Sequence, residues 1–184
     1  MLFAKIFSVG AVMASAASAL GSVQIVAEID ILTQKSKALY ASAQSITASN
    51  AALISVGQGP LAKINIGLGD IISSCASTSK EIEGSPAISV EADAKLVIAA
   101  FQEFTEAQKG LLNILTVKAG LLAHDSSVGL SVSANLRAVE HVVDDLSLHL
   151  VGIVEINTSD IQLKANVLGE VLSVCIDKFD AVAV

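Results

Sequence analysis

Aromatic residues are nearly absent from this chain. Its 184 residues include no Trp, one Tyr and five Phe, which together make up 3% of the sequence. Proteins that bind single-stranded nucleic acid stack the bases on aromatic side chains, so this composition argues against that function and, by the same reasoning, against carbohydrate binding. Charged residues are also scarce, at 16%. A formal net charge of −7 without a basic patch further disfavours nucleic acids and anionic membrane surfaces as partners.

The sequence also lacks the common motifs of catalysis and of metal binding. It contains no G-x-S-x-G nucleophile motif, H-E-x-x-H metalloprotease motif, Walker loop or glycine-rich dinucleotide-binding motif. The three His residues do not have the spacing of zinc ligands. His141 and Asp145 form an i,i+4 pair, but no Ser or Cys nucleophile is placed beside them. We therefore predict that the protein is not an enzyme and uses neither a metal nor a cofactor.

The N-terminus has the layout of a secretory signal peptide. One early positive charge, Lys5, precedes an uncharged apolar run and the small residues Ala17–Ser18–Ala19. The apolar run is shorter than the roughly 20 residues that a membrane-spanning helix needs, although a membrane anchor is the alternative interpretation. We expect residues 1–19 to be removed on export. Residues 20–184 are then predicted to form one domain that is secreted, without a transmembrane anchor, and that is released or retained in the cell wall.

Apolar residues recur at alternating steps of three and four along most of the exported segment. This period places them on one face of each helix, and no long stretch has the period of two that is typical of strands. Long helices joined by short connections pack side by side. We therefore predict an all-α fold, an elongated antiparallel bundle of about five long amphipathic helices. Their apolar seams span Ile25–Ile46, Leu61–Ile82, Val90–Leu122, Val132–Ile153 and Ile161–Phe179.

Turn-forming residues separate these seams. Gly57–Gln58–Gly59–Pro60 is expected to bend or interrupt the second helix, and Pro60 is well placed at the first position of a new turn. Gly84 and Pro86 are expected to end that helix. Asn157–Thr158–Ser159 is an N-glycosylation sequon at the predicted turn before the last helix. Asn157 is therefore the predicted glycosylation site of an exported chain.

The two cysteines lie a hundred residues apart, on the apolar seams of the second and fifth predicted helices. In an oxidising compartment two cysteines most simply pair, and closing a loop of this length contributes about 4–5 kcal/mol in the chain-entropy model. We predict a Cys75–Cys175 disulfide. The bond would require the Cα atoms within about 7 Å and so two helices running in the same direction. Two free buried thiols or an intermolecular bridge are the alternatives.

A signal peptide followed by an Ala-, Ser-, Val- and Leu-rich helical chain is similar to a known family. The first helix has the pattern Ile25-x3-Ile29-x2-Leu32, and nearly aromatic-free heptads continue to the C-terminus. In these features the chain resembles the fungal hydrophobic surface-binding protein A family, which includes the cell-wall galactomannoproteins. The resemblance implies a secreted, non-enzymatic helical protein. It implies either adsorption to hydrophobic solids with recruitment of a polyester-degrading enzyme, or enclosure of a fatty acid in the bundle.

Polar residues that interrupt the apolar seams are the candidate contacts for a ligand head group. A buried hydroxyl or amide needs a hydrogen-bond partner, and the carboxylate of a fatty acid is one candidate. Backbone carbonyls, water or a neighbouring helix are the alternatives, and a seam lysine can instead extend to solvent. Gly67 and Gly69 flank a seam leucine and could let helices part. The predicted ligand-binding set is Ser36, Leu68, Thr78, Phe101, Phe104, Gln108 and Lys118.

Composition agrees with binding to apolar material. Apolar residues reach 53% without Gly, whereas ordinary domains have about 45–50% with Gly counted. A surface with few charges sheds less bound water when it meets wax, plastic or lipid. Our first hypothesis is adsorption to hydrophobic solids and lipid-like material, with a secreted hydrolase as a further partner. The alternatives are a fatty-acid carrier and a structural cell-wall mannoprotein.

Overall fold

The structure, a computed structural model, describes residues 20–51, 53, 56–122 and 126–182. The predicted signal peptide, residues 1–19, lies outside them. Within the described residues there is no strand, and a single isolated bridge joins Ile88 to Val154, so the predicted all-α fold is confirmed. The helices are α1 (Ser22–Ala38), α2 (Tyr40–Gln44), α3 (Ala48–Ala51), α4 (Gly59–Glu83), α5 (Glu91–Ala119), α6 (Ser126–Ile153) and α7 (Thr158–Val182), with a 3-10 turn at Gly120–Leu122.

The helix boundaries follow local backbone chemistry. Pro60 stands in the first turn of α4 as predicted. Gly57 and Gly59, just before it, have φ values of 70° and 82°, a region that glycine enters without steric cost. Asn157 has a φ of 57° immediately before α7, and Asn tolerates this left-handed conformation better than most residues. The four longest helices therefore begin and end within a few residues of their predicted seams.

The first predicted helix is interrupted. The apolar seam continues from Ile25 to Ile46, but α1 ends at Ala38, and Leu39 separates it from the short helix α2. Tertiary contacts hold the chain at this point, because the Tyr40 hydroxyl donates a hydrogen bond of 2.6 Å to the Ala107 carbonyl oxygen of α5. The long first helix is therefore two helices, of 17 and 5 residues.

Five of the described helices close into a ring in the order α1, α5, α7, α6, α4, and the seam between α4 and α1 is the sparsest. Helices α1, α5 and α7 run in one direction, while α4 and α6 run in the other. Three pairs of neighbours run parallel: α1 with α5, through Lys37–Glu103 and Tyr40–Ala107; α5 with α7, through Glu106–Lys164 and Thr116–Cys175; and α4 with α6, through Asn65–Ser131 at their starts and Ile88–Val154 at their ends. Two pairs run antiparallel: α1 with α4, through Leu20–Ser85 and Leu39–Gly67, and α6 with α7, through Arg137–Asp180.

The predicted antiparallel arrangement is therefore wrong for three of the five seams. The connection from α4 to α5 and the one from α5 to α6 cross the ends of the ring, because these consecutive helices are not neighbours in it. Among the five ring helices, α6 and α7 are consecutive and adjacent, and so are α1 and α4, which are joined through the short helices α2 and α3. Two neighbours in the ring can therefore run in the same direction, because a connection between consecutive helices passes over a helix that lies between them.

The predicted disulfide is absent from the structure. Cys75 on α4 and Cys175 on α7 are both free, buried thiols. The bond required α4 and α7 to run in the same direction with their ends together. They run in opposite directions with α6 between them.

The core is apolar and draws on all five ring helices. Phe101, Phe104 and Phe179 are among the largest side chains that are fully buried there. In the described part of the chain no charged side chain is buried, and the buried polar residues are Thr33, Ser36, Thr78, Ser79, Thr105, Gln108, Ser133 and Ser147. None of the helices in these ranges combines the length and the apolarity needed to cross a membrane.

Candidate functional site

The inner face of α5 forms a long buried stripe in the bundle. Its residues recur at helical steps of three and four, so they point to one side, and none of them is accessible to solvent. Helix α5 has 29 residues, which at 1.5 Å per residue is about 43 Å. The residues of this α5 stripe are Val97, Phe101, Phe104, Gln108, Leu111 and Leu115.

Gln108 is the one polar member of the α5 stripe. It is 0% exposed and is preceded by Phe104 and followed by Leu111 on the same face. Neither its Nε2 nor its Oε1 atom has a hydrogen-bond partner among the residues that the structure describes. A buried polar group without a partner costs about 1–3 kcal/mol. The amide therefore offers two donor hydrogens and an acceptor oxygen to a molecule that enters the interior.

Most other buried hydroxyls are satisfied within their own helix. Ser36 donates to the Leu32 carbonyl oxygen at 2.8 Å and Thr33 to that of Ile29 at 3.1 Å. Such bonds to the carbonyl four residues earlier are the usual solution for Ser and Thr in helices. Ser36 was a predicted ligand contact, and the structure gives its hydroxyl a backbone partner.

Lys118 reaches the chain that follows α2. Its Nζ donates a hydrogen bond of 3.0 Å to the Ile46 carbonyl oxygen, and its side chain is half-buried. This bond holds the ammonium group at the end of the short helix α2. Of the two predicted polar contacts on α5, only Gln108 thus presents a free polar group to the core.

The remaining predicted contacts are all buried. Leu68 and Thr78 lie on the inner face of α4, at 0% and 1% exposure. The rings of Phe101 and Phe104 on α5 have centroids 6.3 Å apart and planes inclined by 52°, within the range in which aromatic pairs attract each other. The two rings lie on the same buried stripe of α5 as the Gln108 amide.

The two glycines beside Leu68 have different surroundings. A Cβ atom at Gly67 would lie 2.4 Å from Cδ2 of Leu39, so glycine permits the close contact between α4 and the end of α1. A Cβ atom at Gly69 would meet no atom of the described chain within 4 Å. Gly67 therefore has a packing role at the sparsest seam of the ring.

Sequence reasoning missed some of the buried polar groups. Ser79 on α4 is 5% exposed, and its Oγ atom has no hydrogen-bond partner in the described ranges. It lies one position beyond the seam residue Thr78, so the helical period gave no signal for it. The two buried thiols were an alternative in the sequence analysis. Burial raises the pKa of Cys75 to about 12 and that of Cys175 to about 11, and the neighbouring Thr116 partly offsets the latter shift.

The histidines are away from this interior. His141 is exposed, with its Nδ1 3.4 Å from Oδ2 of Asp145, and the Nδ1 of His149 lies 2.8 Å from the Asp145 carbonyl oxygen. Across the described ranges, no three His, Cys, Asp or Glu side chains come together as a metal site would require.

A concavity lies at the opposite pole from the 3-10 turn. It has a volume of about 190 Å³ and is lined by residues 20–22, 86–90 and Asp93. The Leu20 amide nitrogen donates a hydrogen bond to the Ser85 hydroxyl beside it. No buried polar group without a partner points to a ligand here, so the α5 stripe is the stronger candidate.

Comparison with known proteins gives structural likeness only. No family model matches the chain, and no curated protein matches it by sequence. Two similar solved structures are AfMp4p in complex with palmitic acid (17% identity, TM-score 0.75) and ligand binding domain 1 of the Penicillium marneffei MP1 protein complexed with arachidonic acids (16% identity, TM-score 0.73). Each alignment covers 86% of this chain and 99% of the other.

At these identities the likeness establishes the fold alone. The two similar structures are both of proteins solved with bound fatty acids. The resemblance to the hydrophobic surface-binding protein A family is not confirmed by these comparisons.

Proposed function

We propose that this protein is a lipid carrier that encloses the acyl chain of a fatty acid or a related lipid inside the helical ring. The observation that carries the proposal is the buried amide of Gln108, which has no partner among the described residues although it lies in an apolar core. The two fatty-acid-bound structures of the same fold support it.

The α5 stripe suits both parts of such a ligand. Each methylene group moved from water into an apolar interior contributes about 0.8 kcal/mol, so an acyl chain along Phe101, Phe104 and Leu111 supplies most of the affinity. The Gln108 amide then binds the polar head and fixes its position along the stripe. Leu68 and Thr78 on α4 belong to the same buried core. This role requires no catalytic group, and we propose that the protein is not an enzyme.

Secretion is part of the proposal and rests on the sequence. The layout of residues 1–19 and the sequon at Asn157 both favour export. Asn157 is exposed in the turn between α6 and α7, where a glycan would meet no packed surface.

Adsorption to hydrophobic solids is the second candidate function. It is favoured by large apolar side chains on the outer surface, including Val117 at 79%, Val23 at 75% and Leu148 at 67% exposure. A protein adsorbed in this way could bring a secreted hydrolase to a polyester surface. Single exposed apolar residues are common on soluble proteins, so we rank this function below lipid carriage.

The two candidates can be separated with delipidated protein. Native mass spectrometry and calorimetry with palmitic acid test the carrier, which is expected to bind stoichiometrically and saturably. Depletion onto polystyrene beads tests adsorption. We expect Gln108→Met to weaken lipid uptake and leave bead depletion unchanged, and Val117→Ser with Leu148→Ser to do the reverse.

Three outcomes would redirect the proposal. Bead depletion without saturable lipid uptake favours adsorption. Neither activity, together with retention in cell-wall fractions, favours the structural mannoprotein. Equal lipid uptake by the parent protein and Gln108→Met would mean that the amide does not take part in lipid binding.

A further inference from the structure

The Gln108 amide restricts which head groups fit beside it. It presents N–H donors and a carbonyl acceptor, and the structure leaves both its nitrogen and its oxygen without a partner in the described chain. A complementary head group must therefore accept one hydrogen bond and donate another. A carboxylic acid, an alcohol and a primary amide can do both. A carboxylate only accepts, so it would leave the amide oxygen unpaired beside a negative charge.

Among the residues that the structure describes, no buried cation is placed to neutralise a carboxylate in this core. In the described ranges, all buried polar side chains are uncharged. Two lysines of α5 are half-buried: Lys118 is bonded to the Ile46 carbonyl oxygen, and Lys109, next to Gln108 in the sequence, is paired with Glu106 at 3.0 Å. An anion without a counter-charge in an apolar interior is strongly disfavoured, and a carboxyl group there takes up a proton instead.

The helices packed against α5 do not change this conclusion. These elements are α1, α2, α7 and the 3-10 turn, and the turn has no titratable group. On α1, Lys37 pairs with the exposed Glu103, and on α7, Lys164 lies 3.8 Å from Glu106. The other charged groups on α1 and α7, none of them buried, are Glu28, Asp30, Lys35, Asp160, Glu170, Asp177, Lys178 and Asp180.

The uncharged titratable groups stay uncharged near neutral pH. The Tyr40 hydroxyl on α2 donates to the Ala107 carbonyl oxygen, and burial raises its pKa. The buried thiols have pKa values raised to about 11 for Cys175 on α7 and about 12 for Cys75 on α4. Between about pH 5 and 8 none of these three groups acquires a charge that could stabilise an anion.

We propose that the interior site selects lipids with an uncharged head group that both donates and accepts a hydrogen bond, so that fatty acids enter as the protonated acid and fatty alcohols or fatty amides bind without a proton. The inference rests on the proposed lipid carriage and names the ligand class for that site. Binding of a fatty acid at a pH above its pKa is then accompanied by uptake of one proton from solution. Above the acid's own pKa, its affinity falls about tenfold for each pH unit.

The test compares head groups on one chain length. Delipidated protein is titrated with palmitic acid, hexadecanol and palmitamide by displacement of an uncharged fluorescent lipid, from about pH 5 to about pH 8. We expect the acid to lose affinity by about tenfold per unit above its pKa, while the alcohol and the amide bind equally well throughout. At the upper end of the range the two neutral lipids should bind more tightly than the acid.

A variant pair locates the effect at Gln108. In Gln108→Met we expect the advantage of hexadecanol over hexadecane to disappear, and in the matched control Gln102→Met, an exposed position on the same helix, the advantage should persist. A pH-independent affinity for the acid, with hexadecanol at least tenfold weaker at about pH 8, would overturn the inference and leave lipid carriage intact. Failure of all these ligands to bind would instead remove the proposed function, and the inference with it.

Discussion

The inner faces of α1 and α5 differ in whether their buried polar groups have hydrogen-bond partners. On α1, Thr33 and Ser36 each return a hydrogen bond to a carbonyl oxygen of the same helix. On α5, Gln108 leaves both amide atoms without a partner in the described chain. A hydroxyl group can be satisfied by donating one hydrogen bond, and a carbonyl oxygen of its own helix can accept that bond. An amide also needs a donor for its oxygen, and a helix interior has no free N–H group to give it. The hydroxyls of α1 are thus satisfied within their own helix, whereas the Gln108 amide of α5 is not.

Removing an aromatic ring from the α5 stripe should have the largest effect. Phe104→Ala is expected to lower the free energy of unfolding by about 3–5 kcal/mol, because it deletes a fully buried ring. Chemical denaturation measures the change, with Val117→Ala on the exposed side of α5 as a control that should change it by less than about 0.5 kcal/mol. A loss below about 1 kcal/mol for Phe104→Ala would mean that the ring is not part of a packed core.

A methyl group at the seam between α1 and α4 should be the next most disruptive change. Gly67→Ala places its Cβ 2.4 Å from Leu39, and overpacking of this kind costs about 1–3 kcal/mol. Gly69→Ala meets nothing within 4 Å in the described chain and should raise stability by about 0.5–1 kcal/mol through helix propensity. Thermal unfolding of the pair tests the contact, and effects of the same sign would contradict it.

The contrast between α1 and α5 can be tested directly with one substitution on each. In delipidated protein, Gln108→Met should raise the free energy of unfolding by about 1–3 kcal/mol, because it removes a buried amide that has no partner. Ser36→Ala should change it by no more than about 1 kcal/mol, as a loss, because its hydrogen bond is made. Urea denaturation of both variants gives the comparison. If Gln108→Met is destabilising, the amide is satisfied in the ligand-free protein.

Near neutral pH the thiols should give the smallest effect, because their ionisation changes stability only at high pH. Their folded pKa values, about 12 for Cys75 and about 11 for Cys175, exceed the unfolded value of about 8.5. The unfolded chain therefore loses protons first, and stability is complete below about pH 8.5 and falls as the pH rises towards 11. Each thiol contributes at most about 1.4 kcal/mol per pH unit.

Substitution and thiol counting check this account. Cys75→Ala and Cys175→Ala should each flatten the pH dependence of stability above about pH 8.5. A thiol reagent should find two reactive groups in denatured protein and none in the native state. If denatured protein has no reactive thiols, the two cysteines are joined in a disulfide and this account is wrong.

The sequence was a good guide to helices and a poor guide to their arrangement. The period of the apolar seams predicted α4 to α7 because burial of one face is a local property of the sequence. The break at Leu39 was not predictable, because the seam runs through it and the contact of Tyr40 with Ala107 comes from another helix. The ring order was not encoded in any local pattern either, so helix direction, and with it the proximity of Cys75 and Cys175, was wrongly inferred.

The same limit applies to the candidate site. Ser36, Gln108 and Lys118 looked alike in the sequence, as polar residues on apolar seams. Three different solutions emerged in the fold: a carbonyl oxygen of the same helix for Ser36, the Ile46 carbonyl oxygen for Lys118, and no partner in the described chain for Gln108. Which polar group is left free depends on the surrounding helices, and the sequence alone does not specify them.

A crystal structure of the delipidated protein reconstituted with palmitic acid tests the central claim most directly. We predict an acyl chain along the α5 stripe, with a head-group oxygen about 2.7–3.2 Å from Nε2 of Gln108. An acyl chain bound elsewhere, or a Gln108 amide paired with a protein group while the lipid is bound, would contradict the account.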